Sequence, residues 1–150
     1  MIRALALLTC MSLPAFAEDV SVELVLLADA SGSISPEEIQ FQWLGYADAL
    51  THPQVVAAIQ TSAYGRIAVT YVEWASAGEE DVVVPWAVIH DEASARAFAE
   101  ALPLPPRRAF GRNAIGSALL AGKRLIESNE HEGWRKVIDF SGDSANNYNG

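Results

Sequence analysis

The chain's strongest constraint is an apolar run, Leu24, Val25, Leu26, Leu27 and Ala28, that stops abruptly at Asp29 and gives way to Ser31 and Ser33. A continuous apolar segment of this length, without polar alternation, is what a strand buried on both faces of a parallel sheet requires. Asp29 then falls at the carboxyl edge of that strand. In open α/β sheets ligands bind in the crevice beyond the carboxyl ends of the strands, so an acid followed by two hydroxyls there is placed for binding chemistry. The pattern is D-x-S-x-S, and Gly32 between the serines gives the backbone room to turn.

The elements that follow can be read from their punctuation. Ser35-Pro36-Glu37-Glu38 combines an N-cap serine, proline in the first helical position and a glutamate three residues on, and so predicts a helix from Pro36. Ile39, Trp43, Tyr46, Ala47 and Leu50 form its sheet-facing stripe. Thr51-His52-Pro53 breaks that helix, and Pro53 opens a short second one through Val55, Val56 and Ile59. Ile67 to Trp74 is rich in β-branched and aromatic residues and reads as a strand. Asp81 to Trp86 returns antiparallel to it, with Pro85 marking an edge strand.

Asp91 caps a further helix carrying Ala95, Phe98, Ala99 and Leu102. Pro103 to Arg108 cannot be helical and links to Phe110-Gly111-Arg112-Asn113, from which a helix runs from about Ala114 to Ser128 with Ile115, Leu119, Leu120 and Leu125. Lys136 to Phe140 is the last strand, and it ends in Ser141-Gly142-Asp143, a second acid just past a strand end. This order specifies an α/β layer fold with a mostly parallel sheet. The polar run Ser144 to Gly150 follows without a covering helix, so a fragment of a longer fold is expected.

The N-terminus has the three parts of a secretory signal: Arg3, an apolar stretch from Ala4 to Leu13, and the small-residue pattern Ala15-Phe16-Ala17. Residues 1–17 are therefore expected to be a signal peptide and 18–150 the domain. The apolar stretch is shorter than the roughly 20 residues a membrane span needs, so no span is expected in the mature chain. The sole cysteine, Cys10, lies inside the leader and leaves the mature chain without a disulfide. A lipoprotein reading of Cys10 is the weaker alternative, since Thr9 precedes it. The formal charge is −9, a balance that repels nucleic acid and anionic lipid.

Three loops at one predicted sheet edge supply Asp29, Ser31 and Ser33, then Asn113, then Asp143, and all five offer oxygen. A hard divalent cation such as Mg²⁺ takes oxygen ligands and keeps several waters. Serine hydroxyls bind it without adding charge, while two carboxylates balance it. The absence of His and Cys ligands argues against zinc. Each residue also has a plainer reading. Asp29 and the serines can cap a strand-to-helix turn, Asp143 can be a turn acid, and Asn113 can be a helix N-cap, a ligand or both. Trp43, Trp74, Trp86 and Trp134 read as core or half-buried packing. Arg107, Arg108 and Arg112 have the option of an acidic partner, though arginines in an exposed loop are usually solvated.

Asp29-Ala-Ser31-Gly-Ser33, the segment from Arg66 to Ser76, the loop from Phe110 to Leu119 and Val137 to Asp143 together resemble a von Willebrand factor A domain. They are closer still to a family of secreted bacterial proteins with that fold and no assigned activity. The resemblance implies a three-layer, Rossmann-like fold with one antiparallel edge strand, and a sheet larger than this chain supplies, its C-terminal part missing. It also implies a metal-ion-dependent adhesion site in which Ser31 and Ser33 bind Mg²⁺, or Mn²⁺ or Ca²⁺ in its place, while Asp29 and Asp143 act largely through waters. Where the family pattern has threonine this chain has Asn113, whose side-chain oxygen can also ligate a hard cation. The expected function is a secreted or periplasmic binding module whose metal accepts an acidic group of a partner protein, without turnover. A phosphoryl-transfer hydrolase of haloacid-dehalogenase type is the alternative, but it needs a second acid where Ser31 stands. A purely structural domain without metal is the third reading.

Overall fold

The computed structural model describes residues 18–103 and 106–147. The expected leader, residues 1–17, lies outside them, as do Leu104, Pro105 and residues 148–150. Among the described residues no helix is long and apolar enough to cross a membrane. The elements are β1 (Glu18–Asp29), α1 (Pro36–Thr51), α2 (Pro53–Gln60), β2 (Ile67–Trp74), β3 (Asp81–Ile89), α3 (Glu92–Ala101), α4 (Ile115–Ser128) and β4 (His131–Phe140).

The strands form one sheet in the order β3-β2-β1-β4. β1 pairs in parallel with both β2 and β4, while β3 runs antiparallel to β2 at the margin. Pro85 falls where the β2–β3 register shifts, between the pairs Val69–Ala87 and Tyr71–Val84, so an edge strand and a bulge together absorb its missing donor. β1 is central, and its apolar run divides its side chains between two cores. Leu26 and Ala28 face α1, α2 and α3 through Leu50, Val56, Ile59, Ala95 and Phe98, whereas Val25 and Leu27 pack with Val72, Trp74 and Ala118 of α4. This is the three-layer arrangement expected from the order of elements.

The starts of α1 and α3 agree with their sequence signals. Ser35 Oγ accepts from the Glu38 N–H and Glu38 returns a carboxylate to the Ser35 N–H, closing a capping box before Pro36. Asp91 and Ser94 make the equivalent box at α3. The buried face of α4 is built from Ala118, Ala121 and Gly122, and Leu119 and Leu120 are exposed. Small residues let this helix approach the sheet closely: a Cβ built at Gly122 stands 3.1 Å from Ile138 Cδ1. Trp134 departs from its expected half-burial, because it sits on β4 at a sheet margin and is 76% exposed.

One polar side chain is enclosed in the larger core. Glu73 on β2 is fully buried; its Oε1 accepts from Trp43 Nε1 at 3.2 Å, and neither its Oε2 nor the neighbouring Tyr71 hydroxyl has a hydrogen-bond partner among the described residues. Loss of hydration raises the carboxyl above its ordinary value, against a smaller opposing pull from the Trp43 hydrogen bond and the Arg107 charge. Relative to the unfolded chain, folding therefore favours the protonated form of Glu73. An acid with a raised folded pKa contributes stability that is fully present below its unfolded value and is lost as pH rises through the folded one. Urea denaturation should accordingly show Glu73→Gln gaining on the native chain as pH rises above the ordinary carboxylate range, and a stability difference independent of pH would contradict this assignment.

Candidate functional site

Parallel pairing puts the ends of three strands side by side. Asp29 lies opposite Trp74 in the β1–β2 register, and Leu27 lies opposite Phe140 in the β1–β4 register, so the chain leaves β1, β2 and β4 at the same edge. Ser141 continues the ladder by donating its N–H to Leu27 O at 3.0 Å. The loops after β1 and β4 are thereby brought together, as their acids required.

Asp29 is 2% exposed. Its Oδ1 accepts from the Ser31 N–H at 2.8 Å and its Oδ2 from the Asp143 N–H at 3.2 Å. An uncompensated carboxylate so deeply buried would cost several kcal/mol, and two backbone donors offset much of that. Each oxygen retains acceptor capacity beyond these bonds. Ser31 is buried, Ser33 is exposed, and their hydroxyl oxygens stand 3.1 Å apart. The Asp143 side chain is exposed. A cleft of about 270 Å³ opens beside them, lined by Asp29, Ile34, Glu38, Phe41, Gln42, Ser141, Gly142 and Asp143. Glu38 on its rim is held below the usual carboxylate range, chiefly by the Ser35 N–H and then by the Ser35 hydroxyl.

Asn113 is also buried, but it joins the site by another route. Its side-chain Nδ2 donates to Ser144 Oγ, its backbone N–H donates to Asn147 Oδ1 at 2.9 Å, and its carbonyl accepts from the Asn147 N–H at 3.2 Å. It is not the N-cap of α4. That position belongs to Ala114, which has no side-chain cap, and Asn146 Oδ1 accepts from the Ile115 N–H at 3.0 Å instead. The polar run after Asp143 thus satisfies the start of α4 from a distance. A bond from the Gly32 N–H to Gly111 O at 2.8 Å ties the Asn113 loop to the serine loop.

Two supporting residues were not singled out in the sequence. Gln42 donates to Asp29 O at 3.0 Å, and Ser141 Oγ lies within hydrogen-bond distance of both the Asp29 N–H and Gln42 Oε1, at 3.2 Å in each case. Gln42 could have been suspected, since it stands one turn after Ile39 on the stripe of α1 that faces the sheet. Arg107 is turned inward onto backbone carbonyls of the serine loop, so it is not free for a partner. A larger, apolar cavity of about 670 Å³ lies between α1, α3 and the loop ending at Phe110. No group of three or more His, Cys, Asp or Glu side chains among the described residues has the arrangement to hold a metal by itself.

The two serine hydroxyls nevertheless have a spacing that a pair of ligands on a small hard cation could use. Ligands about 2.1 Å from an octahedral ion stand about 3.0 Å apart along an edge, close to the 3.1 Å separation of the two hydroxyls. Residues 19–150 match the family model described as "Protein of unknown function (DUF1194)". The chain belongs to this family. No curated protein matches it in sequence. In structure the chain is similar to the vWF domain of the type V pili tip protein Mfa5 from Porphyromonas gingivalis, with a TM-score of 0.53 and 11% identity over 79% of this chain and 36% of that one. It is also similar to the pilus adhesin SpaC from Lactobacillus rhamnosus GG, with a TM-score of 0.53 and 16% identity over 81% of this chain and 15% of that one. The chain thus spans about a third of the first and a smaller part of the second. These likenesses establish that the DUF1194 chain has the von Willebrand factor A fold, with a mostly parallel sheet and one antiparallel strand.

The geometry also changes the reason for Gly32. Its φ is not positive, so a left-handed turn is not what selects glycine there. A Cβ at this position would stand 2.9 Å from the Phe110 carbonyl oxygen, a backbone atom that cannot swing aside. Gly32→Ala is therefore expected to cost about 1–3 kcal/mol of stability through overpacking. A urea midpoint equal to that of the native chain would refute the close-approach account.

Proposed function

We propose that this chain is an adhesion-type, protein-binding module in which Asp29, Ser31, Ser33, Asn113 and Asp143 form a site for Mg²⁺, with Mn²⁺ or Ca²⁺ as substitutes, that accepts an acidic group of a partner protein. The observation that carries the reading is the pair of hydroxyl oxygens 3.1 Å apart beside a buried carboxylate that two backbone N–H groups hold in place. Ser31 and Ser33 would be direct ligands, and Asp29 and Asp143 would act largely through waters. Asn113 enters through its amide oxygen, since its nitrogen is spent on Ser144.

The donor chemistry favours recognition over turnover. With neutral hydroxyls as direct ligands and the two carboxylates acting through waters, the ion's own shell carries no protein charge, so it would offer a hard, positive contact to an outside carboxylate. Ser33 and Asp143 are exposed, which leaves the site approachable. Asp29 is fixed by the Ser31 and Asp143 amides rather than held free as a nucleophile, and Ser31 stands where a phosphoryl-transfer enzyme of the type considered above needs its second acid. The similar domains of Mfa5 and SpaC come from a pilus tip protein and a pilus adhesin. By analogy with them this chain works outside the cytoplasm, as its leader-like N-terminus also suggests, in a bacterial secreted or periplasmic setting.

Calorimetric titration with Mg²⁺ tests the site. The mature chain should show one site, absent in Asp29→Ala. Because Asp29 also holds its loop together, Ser33→Ala is the gentler probe: its side chain is exposed, so the urea midpoint should hold while Mg²⁺ affinity falls by about tenfold or more. Absence of heat in the native chain, or unchanged heat in both variants, would sink the metal reading.

A further inference from the structure

The loops after β1 and β4 and the connection from α3 to α4 account for the oxygens of the site but not for the cation beneath it. Arg107, from the proline-rich loop before Asn113, sends its guanidinium to four backbone carbonyls. Nη2 donates to Ala30 O and Ser31 O at 2.6 Å each, Nη1 to Ile34 O at 2.8 Å, and Nε to Ala109 O at 2.9 Å. Its carbon Cζ lies 4.7 Å from the centre of the Phe110 ring. Three of those carbonyls belong to the turn that carries Ser31 and Ser33. A planar fork of fixed donors can hold several carbonyls at once, whereas a lysine ammonium is a compact charge on a flexible stem.

The other ends of the same peptide units are equally informative. In a trans peptide the C=O and N–H point in opposite directions. The Ala30–Ser31 unit presents its oxygen to Arg107 and its N–H to Asp29 Oδ1. The Ile34–Ser35 unit presents its oxygen to Arg107 and its N–H to Glu38 Oε2. Each unit therefore stands with its dipole aligned between the guanidinium and a carboxylate. The Ser31–Gly32 unit offers its oxygen to Arg107 and its N–H to Gly111 O, so the 107–111 segment grips that peptide at both ends. Three peptide units of the serine turn thus share one side chain as a hydrogen-bond donor.

We propose that Arg107 is the positioning residue of the D-x-S-x-S turn: its guanidinium draws the carbonyls of Ala30, Ser31 and Ile34 to one side and so fixes the turn from which Asp29, Ser31 and Ser33 present oxygen to a divalent cation. The cation part of this statement rests on the metal reading above; the positioning part does not. Arg107 touches no ligand, and it acts through the backbone it holds. It also sets positive charge within one peptide of two carboxylates at the cleft, which lowers the repulsion between them before any ion binds.

Arg107→Lys separates geometry from charge, because it keeps the cation but cannot span the carbonyls. Amide hydrogen exchange in metal-free protein should accelerate by about tenfold or more at Ser31, Gly32 and Ser35, while Val69 to Val72 in β2 accelerate far less. Mg²⁺ titration should give an affinity weakened by a similar factor. In Arg107→Ala the same losses should be larger, and millimolar guanidinium should restore part of the affinity where ammonium does not. Unchanged exchange at the three turn amides, or equal acceleration throughout β2, would overturn the positioning role. Local acceleration with undiminished Mg²⁺ affinity would overturn its link to the cation. If the native chain binds no Mg²⁺, the metal reading fails and the link fails with it, while the exchange pattern still decides whether Arg107 holds the turn.

Discussion

The buried carboxylate of Asp29 is the constraint to which the carboxyl edge of the sheet is fitted. At 2% exposure it has almost no water to solvate it, so protein donors must take that place. The Ser31 N–H comes from its own turn, and the Asp143 N–H comes from the loop after β4. Only a parallel pairing of β1 with β4, in the register that sets Leu27 against Phe140, brings the second donor within reach. One charge therefore ties local turn geometry to the pairing of strands more than a hundred residues apart in the chain.

A second layer of contacts makes that arrangement rigid. Gln42 from α1 and Ser141 after β4 meet the backbone of Asp29 on both its N–H and C=O, so the residue is held at the main chain as well as at the side chain. Ser144, Asn146 and Asn147 then link the loop of Asp143 to Asn113 and to the first turn of α4. The indole of Trp74, stacked on Phe140 at 5.0 Å and donating to Ser141 O, closes the edge from the α4 side. Loops at sheet edges are ordinarily the mobile part of a fold, and these are tethered at each strand end.

Features governed by neighbours in sequence were legible before any coordinates. The capping boxes at Ser35 and Asp91, the break at Pro53, the doubly buried run before Asp29 and the edge position of Pro85 all depend on periodicity or backbone chemistry within a few residues. What escaped depends on distant partners. The cap of α4 comes from Asn146, thirty-one positions away, so Asn113 looked like the cap merely by adjacency. The leucines of α4 attracted attention by their size, but the close approach of helix and sheet selected Ala118, Ala121 and Gly122. Glu73 is buried because a strand covered on both faces has nowhere else to put a side chain, and nothing adjacent to it announces Trp43 as its partner. Of the five oxygen residues, the structure links Asp29, Ser31, Ser33 and Asp143 by hydrogen bonds and reaches Asn113 through Ser144.

The choice of serine at 31 and 33 follows from charge. Asp29, Glu38 and Asp143 already line the cleft, and the chain as a whole is at −9. A carboxylate at either serine position would add repulsion of about 4 kcal/mol per pair at 4 Å in a surface-like dielectric. The cation that reaches this turn, Arg107, already has its donors committed to carbonyls. Hydroxyls add oxygen without adding charge, so the turn can present a polar face and still fold without an ion. The peptide units between Arg107 and the carboxylates do the remaining work: their dipoles lie with oxygen toward the cation and N–H toward the anions, which stabilises both ends at once. A turn braced in this way by its own chain would offer the cation proposed above a preorganised site, and such a site loses little of its binding free energy to rearrangement.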